Sequence, residues 1–180
     1  SGDAAQYAML TGAVGHRVHF IGADKDEPFF TDFSDDLQQI AAQNPAIERV
    51  PAAQAEGIIC TGLAHDEYET PEDYRATLLT AKTLGLPMLC ANPDIIVHVG
   101  DKLQYCAGAL AKAYEDMGGT ALYFGKPHPP IYDLARRRLA ALLCLRPVSS
   151  RPRRTAPASR PCRRHNRRCA SPRHSSADTS

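Results

Sequence analysis

The most informative segment for the fold is Pro87-Met88-Leu89-Cys90-Ala91-Asn92-Pro93-Asp94, residues 87–94. A short apolar run ends at a polar turn, which is typical of a buried strand whose carboxyl end carries a loop. The run Gly57-Ile58-Ile59-Cys60-Thr61-Gly62 has the same form and is apolar enough to be buried on both faces. Two strands of this kind indicate a sheet that is covered on both sides.

Weaker signals around these two runs predict further strands and helices. Polar and apolar residues alternate over 17–22, and 121–124 is another short apolar run. Ser34 and Thr70 suit helix N-caps, because the acidic residues that follow each of them favour the positive end of a helix. We therefore predict helices over 3–12, from 34 onward, and over 70–85, 107–117 and 131–143. Strands that alternate with helices predict an α/β domain with a mainly parallel sheet.

Charge divides the chain into two parts. Residues 1–145 carry 11 Lys and Arg against 19 Asp and Glu, whereas residues 146–180 carry 10 Arg and a single acid, Asp178. The acidic part has enough Ala, Leu, Ile and Val for the core of one domain. Residues 146–180 lack periodicity and large apolar side chains, so we expect a disordered basic tail there.

The sequence has no feature of a membrane or secreted protein. No apolar run approaches the roughly 18–20 residues that span a bilayer, and the N-terminal residues lack the basic and apolar stretches of a signal peptide. The six cysteines form no disulfide pattern, and Cys60 and Cys90 end apolar runs where a buried thiol is the simplest expectation. We therefore expect a cytoplasmic enzyme with no membrane partner.

Polar side chains follow the predicted strands at their carboxyl ends, where open α/β sheets bind ligands. Asn92 and Asp94 follow one strand, and Lys126 follows another. An Asn-Pro-Asp turn offers oxygen atoms for hydrogen bonding, and a lysine between Gly125 and Pro127 could face a phosphate or a carboxylate. The alternative is that the turn has no function and that Lys126 is a solvated surface charge.

The order of these motifs resembles the class IIA branch of the haloacid dehalogenase (HAD) superfamily. The shared order is a strand, Ala-Asn-Pro-Asp at 91–94, a long loop, a helix rich in Gly and Ala, a strand, and Gly-Lys-Pro at 125–127. Thr61-Gly62-Leu63 and the helix start at 69–74 also resemble this branch, which includes p-nitrophenyl phosphatases and nucleotide monophosphatases. The resemblance covers residues 1–143, nearly all of the part that we expect to be ordered.

The resemblance implies Mg²⁺-dependent hydrolysis of small phosphorylated metabolites. Lys126 would be the catalytic lysine, which contacts the phosphate and the nucleophile. Asn92, Pro93 and Asp94, together with Gly125 and Pro127, would line the substrate site.

The same resemblance implies a division of the chain into parts. Residues 1–91 would be the first part of a cap domain. Residues 92–145 would complete the cap and begin the returning segment of a Rossmann-like HAD core, and residues 146–180 would be the tail. The expected partner is a small phosphorylated substrate, and self-association through the cap stays open.

Three motifs that the family uses are absent from this sequence, among them the Ser/Thr motif that precedes the cap. The chain begins too late for the Asp-x-Asp-Gly nucleophile segment. Asp24-Lys25-Asp26 has the carboxylate spacing, but Glu27-Pro28 follows instead of a glycine turn, which favours a solvated acidic loop. The metal-binding acids expected after residue 143 are also missing, so the chain offers no metal ligands. We therefore predict an incomplete piece of a phosphatase that is nearly inactive alone.

Two interpretations of the basic tail stay open. Its mixture of Arg, Pro, Ser, Ala, Cys and His is typical of a GC-rich gene translated in the wrong frame, and we favour a frameshift between Leu143 and Arg146. A genuine basic arm would bind nucleic acid through phosphate contacts, although the tail lacks aromatic residues for stacking. Besides these, a small-molecule-binding α/β module without catalysis is the alternative to a phosphatase.

Overall fold

The computed structural model describes residues 2–145 of the chain. These residues form seven strands and six α-helices, with short 3-10 turns at Asp24–Asp26, Ala52–Gln54 and Pro71–Tyr74. The strands are β1 (Arg17–Ile21), β2 (Glu48–Arg49), β3 (Gly57–Cys60), β4 (Pro87–Cys90), β5 (Ile96–Val99), β6 (Lys102–Tyr105) and β7 (Thr120–Tyr123). The helices are α1 (Gly2–Leu10), α2 (Pro28–Thr31), α3 (Asp35–Gln43), α4 (Arg75–Thr83), α5 (Ala107–Asp116) and α6 (Pro129–Leu145).

Five of the strands form one parallel sheet in the order β2-β1-β3-β4-β7. In its centre, Ile59 of β3 lies opposite Phe20 of β1 on one side and Leu89 of β4 on the other. The sheet continues through β4 to β7, where Leu89 pairs with Leu122. The predicted α/β fold with a mainly parallel sheet is therefore confirmed.

Helices cover both faces of the sheet. Because successive residues of a strand point to opposite sides, each strand contributes side chains to both faces. Ile58 and Cys60 of β3 pack with α4 and α5 on one face, and Ile59 packs with α1 and α3 on the other. The buried side chains of the first face include Leu63, Leu78, Met88, Leu110 and Tyr114, and those of the second include Met9, Val14, Val18, Leu37 and Leu89. Burial on both faces of the sheet explains why β3 and β4 are almost wholly apolar.

Three short elements differ from the sequence prediction. The long loop after β4 contains an antiparallel hairpin, β5–β6, in which Ile96 lies opposite Tyr105. Strand β2 has only two residues, both charged, so it has no apolar run to reveal it. Helix α2 follows the 3-10 turn at Asp24–Asp26, where the sequence predicts an acidic loop. Each element is too short for its periodicity to stand out.

Two arginines of the last helix, α6, bond to the first: Arg137 donates to the Tyr7 hydroxyl at 2.9 Å, and Arg138 binds Asp3 and the start of α3. The guanidinium of Arg138 donates to the Asp3 carboxylate at 2.6 Å, to both oxygens of the Asp36 carboxylate at 2.8 and 2.9 Å, and to the Ser34 hydroxyl at 2.9 Å. The hydrogen bond from Arg138 is the main reason that the pKa of Asp36 lies below its ordinary value. Three elements, α1, α3 and α6, therefore meet at a single cation.

Substituting this arginine should destabilise the domain in a pH-dependent way. We expect Arg138→Gln to lower the free energy of unfolding by about 1 kcal/mol at neutral pH, since partly exposed ion pairs contribute little in water. The folded state lowers the pKa of Asp36. The ionised Asp36 therefore contributes its full stabilisation at pH values above the ordinary Asp pKa of about 3.9, and this stabilisation is lost as the pH falls through the lowered pKa of the folded state. Urea unfolding at several pH values measures the effect. Arg136→Gln is the control, because Arg136 pairs only with its own-helix neighbour Asp133 among the described contacts.

No α-helix in residues 2–145 is long and apolar enough to cross a membrane. The expected disorder, the frameshift and the basic arm all concern residues 146–180, which lie outside the described residues. The predicted boundary between residues 91 and 92 stays a prediction.

Candidate functional site

The chain leaves neighbouring strands β1 and β3 toward opposite faces of the sheet. After β1 it passes to α3, which packs on the face that contains Leu37 and Ile59, and after β3 it passes to α4, which packs on the face that contains Leu78 and Ile58. The loops at the two carboxyl ends therefore diverge. In open α/β sheets this divergence opens a crevice where ligands bind.

The protein contains such a crevice, formed by two adjacent cavities of about 340 Å³ and 130 Å³. Four residues line both cavities: Lys25, Asp26, Thr61 and Asn92. Asp66 lines the smaller cavity. We call these five residues and the space between them the switch-point crevice.

Close packing of the β1 and β3 loops fixes the floor of the switch-point crevice. The Thr61 hydroxyl donates to the Asp26 carboxylate at 2.7 Å. A Cβ atom at Gly22 would lie 2.1 Å from the Thr61 hydroxyl oxygen, so only glycine allows this approach. The hydrogen bond and the glycine together hold Thr61 and Asp26 against the carboxyl ends of the central strands.

An ion pair crosses the crevice between the same two loops. The Lys25 ammonium lies 2.6 Å from an oxygen of the Asp66 carboxylate. This hydrogen bond is the main reason that the pKa of Lys25 lies above its ordinary value. Lys25 is therefore a charged group that already has a carboxylate partner.

The loop that contains Asp66 is itself pinned by a tyrosine. The Tyr74 hydroxyl donates to the Glu69 carboxylate at 2.6 Å and accepts the backbone N–H of Ala64 at 2.7 Å. Burial and the hydrogen bond to Glu69 help to raise the pKa of Tyr74 to about 12, so the phenol stays protonated at neutral pH. The uncharged Tyr74 hydroxyl thus holds in place the loop that forms this wall of the crevice.

The Asn-Pro-Asp turn after β4 is fixed at both ends. The Asn92 side-chain oxygen accepts the backbone N–H of Asp94 at 3.2 Å, and the Asp94 carbonyl accepts the N–H of Gly108 in α5 at 3.0 Å. Asn92 is half-buried and lines both cavities of the crevice. Pro93 and Asp94 belong to the same turn but line neither cavity.

The Gly-Lys-Pro turn lies at the end of β7, two strands away from β3. Gly125 is buried and has a φ of 142°, whereas Lys126 and Pro127 are exposed. The His128 ring stacks on Tyr123 with ring centres 5.0 Å apart. The structure therefore brings Asn92 into the crevice, while Lys126, Gly125 and Pro127 lie at a neighbouring strand end and line neither cavity.

Sequence reasoning missed four of the five residues of the switch-point crevice. Only Asn92 was predicted as a ligand-facing residue. The sequence predicts a solvated acidic loop at Asp24-Lys25-Asp26 rather than a nucleophile segment, and the structure places Asp24 on the surface, with Asp26 bonded to Thr61. The useful signal was the position of these residues, immediately after the carboxyl ends of two apolar strands.

Three cysteines lie near the carboxyl ends of the strands, and burial raises the pKa of each thiol. Cys60 and Cys90 are opposite each other in β3 and β4; burial raises the pKa of Cys90 to about 12 and raises that of Cys60 well above its ordinary value. Cys106, at the rim of the crevice, also has a raised pKa. Thiolates are therefore disfavoured at neutral pH, which argues against cysteine nucleophiles here.

The described residues do not fit a Mg²⁺ site. Residues 2–145 contain no group of three His, Cys, Asp or Glu side chains that could hold a metal ion. The carboxylates of the crevice already bind protein donors, Asp26 through Thr61 and Asp66 through Lys25. A catalytic Mg²⁺ would therefore need ligands from another segment.

Comparison with known proteins identifies the class of fold. No family model and no curated protein matches the chain. Among solved structures, a haloacid dehalogenase-like hydrolase from Brucella suis 1330 is 38% identical, with a TM-score of 0.66, over 79% of this chain and 48% of that one. A mutant of thermostable p-nitrophenylphosphatase from Bacillus stearothermophilus is 17% identical, with a TM-score of 0.50, over 78% of this chain and 49% of that one, and it supports the fold alone.

The resemblance indicated by the sequence motifs is confirmed by these comparisons: the chain is a relative of the haloacid dehalogenase-like hydrolases. It spans about half the length of the neighbours that it matches.

Proposed function

We propose that this chain is the cap-containing part of a phosphohydrolase that acts on a small phosphorylated metabolite with Mg²⁺. One observation carries the proposal: 38% of the aligned residues are identical to those of a haloacid dehalogenase-like hydrolase, over 79% of the chain. The order of Ala-Asn-Pro-Asp and Gly-Lys-Pro along the chain supports the phosphatase class within that family.

In this proposal the two strand-end turns have separate roles. Lys126, exposed between Gly125 and Pro127, supplies the positive charge that stabilises the phosphoryl group as its negative charge develops. Asn92, held by its own turn with Pro93 and Asp94, faces the substrate from the cap side. Mg²⁺ would supply further positive charge at the phosphoryl group, held by residues of another segment.

The chain as given is expected to be nearly inactive alone, because the nucleophile and the metal ligands belong to the other half of the enzyme. The surface of α6 supports this view. The helix exposes a row of large apolar side chains, which is typical of a face that packs against further structure. They are Tyr132, Leu139, Leu142 and Leu143.

The test begins with the nucleotide sequence of the locus. We expect an Asp-x-Asp-Gly strand upstream of Ser1 and a Gly-Asp and Thr-Asp segment in another frame after Leu143. The protein from the restored frame should release phosphate from p-nitrophenyl phosphate with Mg²⁺, whereas the 180-residue chain should not.

A lysine substitution in the restored protein tests the role of Lys126. Lys126→Ala should reduce kcat by about 10²–10³-fold, as removal of a group that stabilises a developing charge does. Lys102→Ala is the matched control, because Lys102 is an exposed lysine of the β5–β6 hairpin. Equal activity of the two variants, or absence of both motifs from the locus, would contradict the proposal. The chain would then be better described as a small-molecule-binding module that uses the switch-point crevice without catalysis.

A further inference from the structure

The entry to the Gly-Lys-Pro turn is tied to two other elements of the domain. The last residue of β7, Tyr123, donates its hydroxyl to the Glu115 carboxylate of α5 at 2.8 Å. The next residue, Phe124, donates its N–H to the Cys90 carbonyl at the end of β4, at 2.9 Å. Burial of the phenol and its bond to Glu115 raise the pKa of Tyr123, so its hydroxyl remains a donor at neutral pH. The chain therefore enters the turn from a fixed position.

The exit from the turn is joined to its entry by two contacts. The His128 N–H donates to the Gly125 carbonyl at 2.7 Å. The His128 ring stacks on the Tyr123 ring, with ring centres 5.0 Å apart and an angle of 12° between the ring planes. This separation lies in the range of favourable aromatic pairs. Residues 123–128 therefore form a closed loop, and Lys126 lies within it.

A closed loop matters for Lys126 because the lysine side chain is long and flexible. Lys126 is exposed, and its four-carbon stem allows the ammonium many positions. A cation stabilises a developing charge best when it is directed there before the reaction, since no reorganisation is then needed. The side chain starts from the backbone of the turn, so the conformation of the turn sets the region that the ammonium can reach.

We propose that Tyr123 and His128 are positioning residues for Lys126: their stacked rings hold the Gly-Lys-Pro turn in one conformation and thereby direct the ammonium. Both residues act through Lys126 rather than by contact with the substrate. The task of Lys126 rests on the proposed function, whereas the closure of the turn by the two rings does not depend on it. The requirement at position 128 is a planar ring, so phenylalanine can replace histidine and alanine cannot.

A purely structural role for His128 makes a different prediction. His128 immediately precedes Pro129, the first residue of α6. If the ring served only the start of α6, its removal would affect the first turn of that helix and leave the backbone of Lys126 unchanged. The order of the Lys126 backbone therefore separates the two roles.

The test measures backbone order in the ¹⁵N-labelled 180-residue chain, in which the Lys126 amide reports on the turn. In the unsubstituted chain the order parameter of Lys126 should be close to about 0.85, the value of a rigid backbone, and in His128→Ala it should fall below about 0.6. His128→Phe should keep the first value, because it retains a ring that can stack on Tyr123.

Another stacked His–Tyr pair supplies the matched control. His65 and Tyr68 stack with ring centres 5.2 Å apart, in the loop after β3. Tyr68→Ala removes this stack and should leave the order of Lys126 unchanged. If His128→Ala fails to fold, judged by its amide spectrum, Tyr123→Leu removes the same stack from the other side while it keeps an apolar side chain in β7.

Three results would overturn the inference. They are equal order of Lys126 in His128→Ala and the unsubstituted chain, loss of order confined to α6, and a Phe variant as mobile at Lys126 as the Ala variant.

Kinetics of the restored-frame protein add a readout that a change in stability does not move. His128→Ala should lower kcat for p-nitrophenyl phosphate about tenfold with KM nearly unchanged, because a misdirected lysine loses an interaction made in the transition state. His128→Phe should retain kcat, and equal kcat of His128→Ala and the unsubstituted enzyme would contradict the inference. Failure of the proposed function would look different: the unsubstituted restored-frame protein would release no phosphate, while the order of Lys126 would still decide whether the two rings close the turn.

Discussion

Gly108→Ala should lower the free energy of unfolding by about 3 kcal/mol, at the upper end of what overpacking costs. A Cβ atom at this position in α5 would lie 2.2 Å from the carbonyl oxygen of Pro93 and 2.5 Å from that of Asp94. Both obstacles are backbone atoms, and the Gly108 N–H is bonded to the same Asp94 carbonyl at 3.0 Å, so neither side can move alone. Alanine gains about 1 kcal/mol over glycine in a helix, which is too little to offset the clash.

The experiment compares urea unfolding of Gly108→Ala with that of Gly62→Ala. Gly62 is the matched control, because a Cβ there would meet no atom within 4 Å. The amide signals of Asn92 and Asp94 should shift in the first variant and stay unchanged in the second. Equal stability of the two variants would mean that the turn yields to the methyl group and that α5 does not fix its position.

Tyr114→Ala should have a similar or larger effect, a loss of about 3–5 kcal/mol, as is usual when a large aromatic side chain is removed from a core. Tyr114 is 1% exposed, and its ring packs so closely on Gly119 that a Cβ there would lie 2.5 Å from it. Its hydroxyl also donates to the Leu86 carbonyl at 2.6 Å, just before β4. The residue therefore joins the end of α5 to the start of a central strand.

Tyr114→Phe separates the ring from the hydroxyl. We expect it to cost about 1–2 kcal/mol, because the Leu86 carbonyl loses its buried donor while the packing is retained. Tyr68→Ala is the control, since Tyr68 is 72% exposed and should change stability little. If Tyr114→Phe were as destabilising as Tyr114→Ala, the hydrogen bond would be the main contribution.

The main elements of the fold could be predicted from sequence because their patterns are strong. The apolar runs of β3 and β4 reflect burial on both faces, and the acidic residues after Thr70 mark the start of a helical segment, where the structure has a capping box between Thr70 and Asp73. The β5–β6 hairpin gave a weak signal, because each strand has only four residues and His98 interrupts the apolar residues of 95–99. Strand β2 gave no signal, since two charged residues have no periodicity.

The candidate site was harder to predict than the fold. Asn92 could be found because it follows an obvious strand. Lys25 and Asp66 are 41 residues apart in sequence and come together because β1 and β3 are neighbours in the sheet. Local sequence patterns do not predict which strands are neighbours. Thr61 could have been proposed from its place at a strand end, but its pairing with Asp26 depends on the absence of a side chain at Gly22.

The parallel sheet also has a kinetic consequence. Residues that pair between neighbouring strands of this sheet are distant in the chain: Val18 pairs with Gly57, Ile59 with Leu89, and Leu89 with Leu122. The two strands of the β5–β6 hairpin, by contrast, are separated by only a few residues. Contacts of such long sequence separation must overcome loop-closure entropy before they contribute any stability, which slows folding. The nascent chain must therefore wait for β7 to leave the ribosome before its sheet is complete, and until then the apolar edge of β4 is exposed to chaperones and to other unfolded chains.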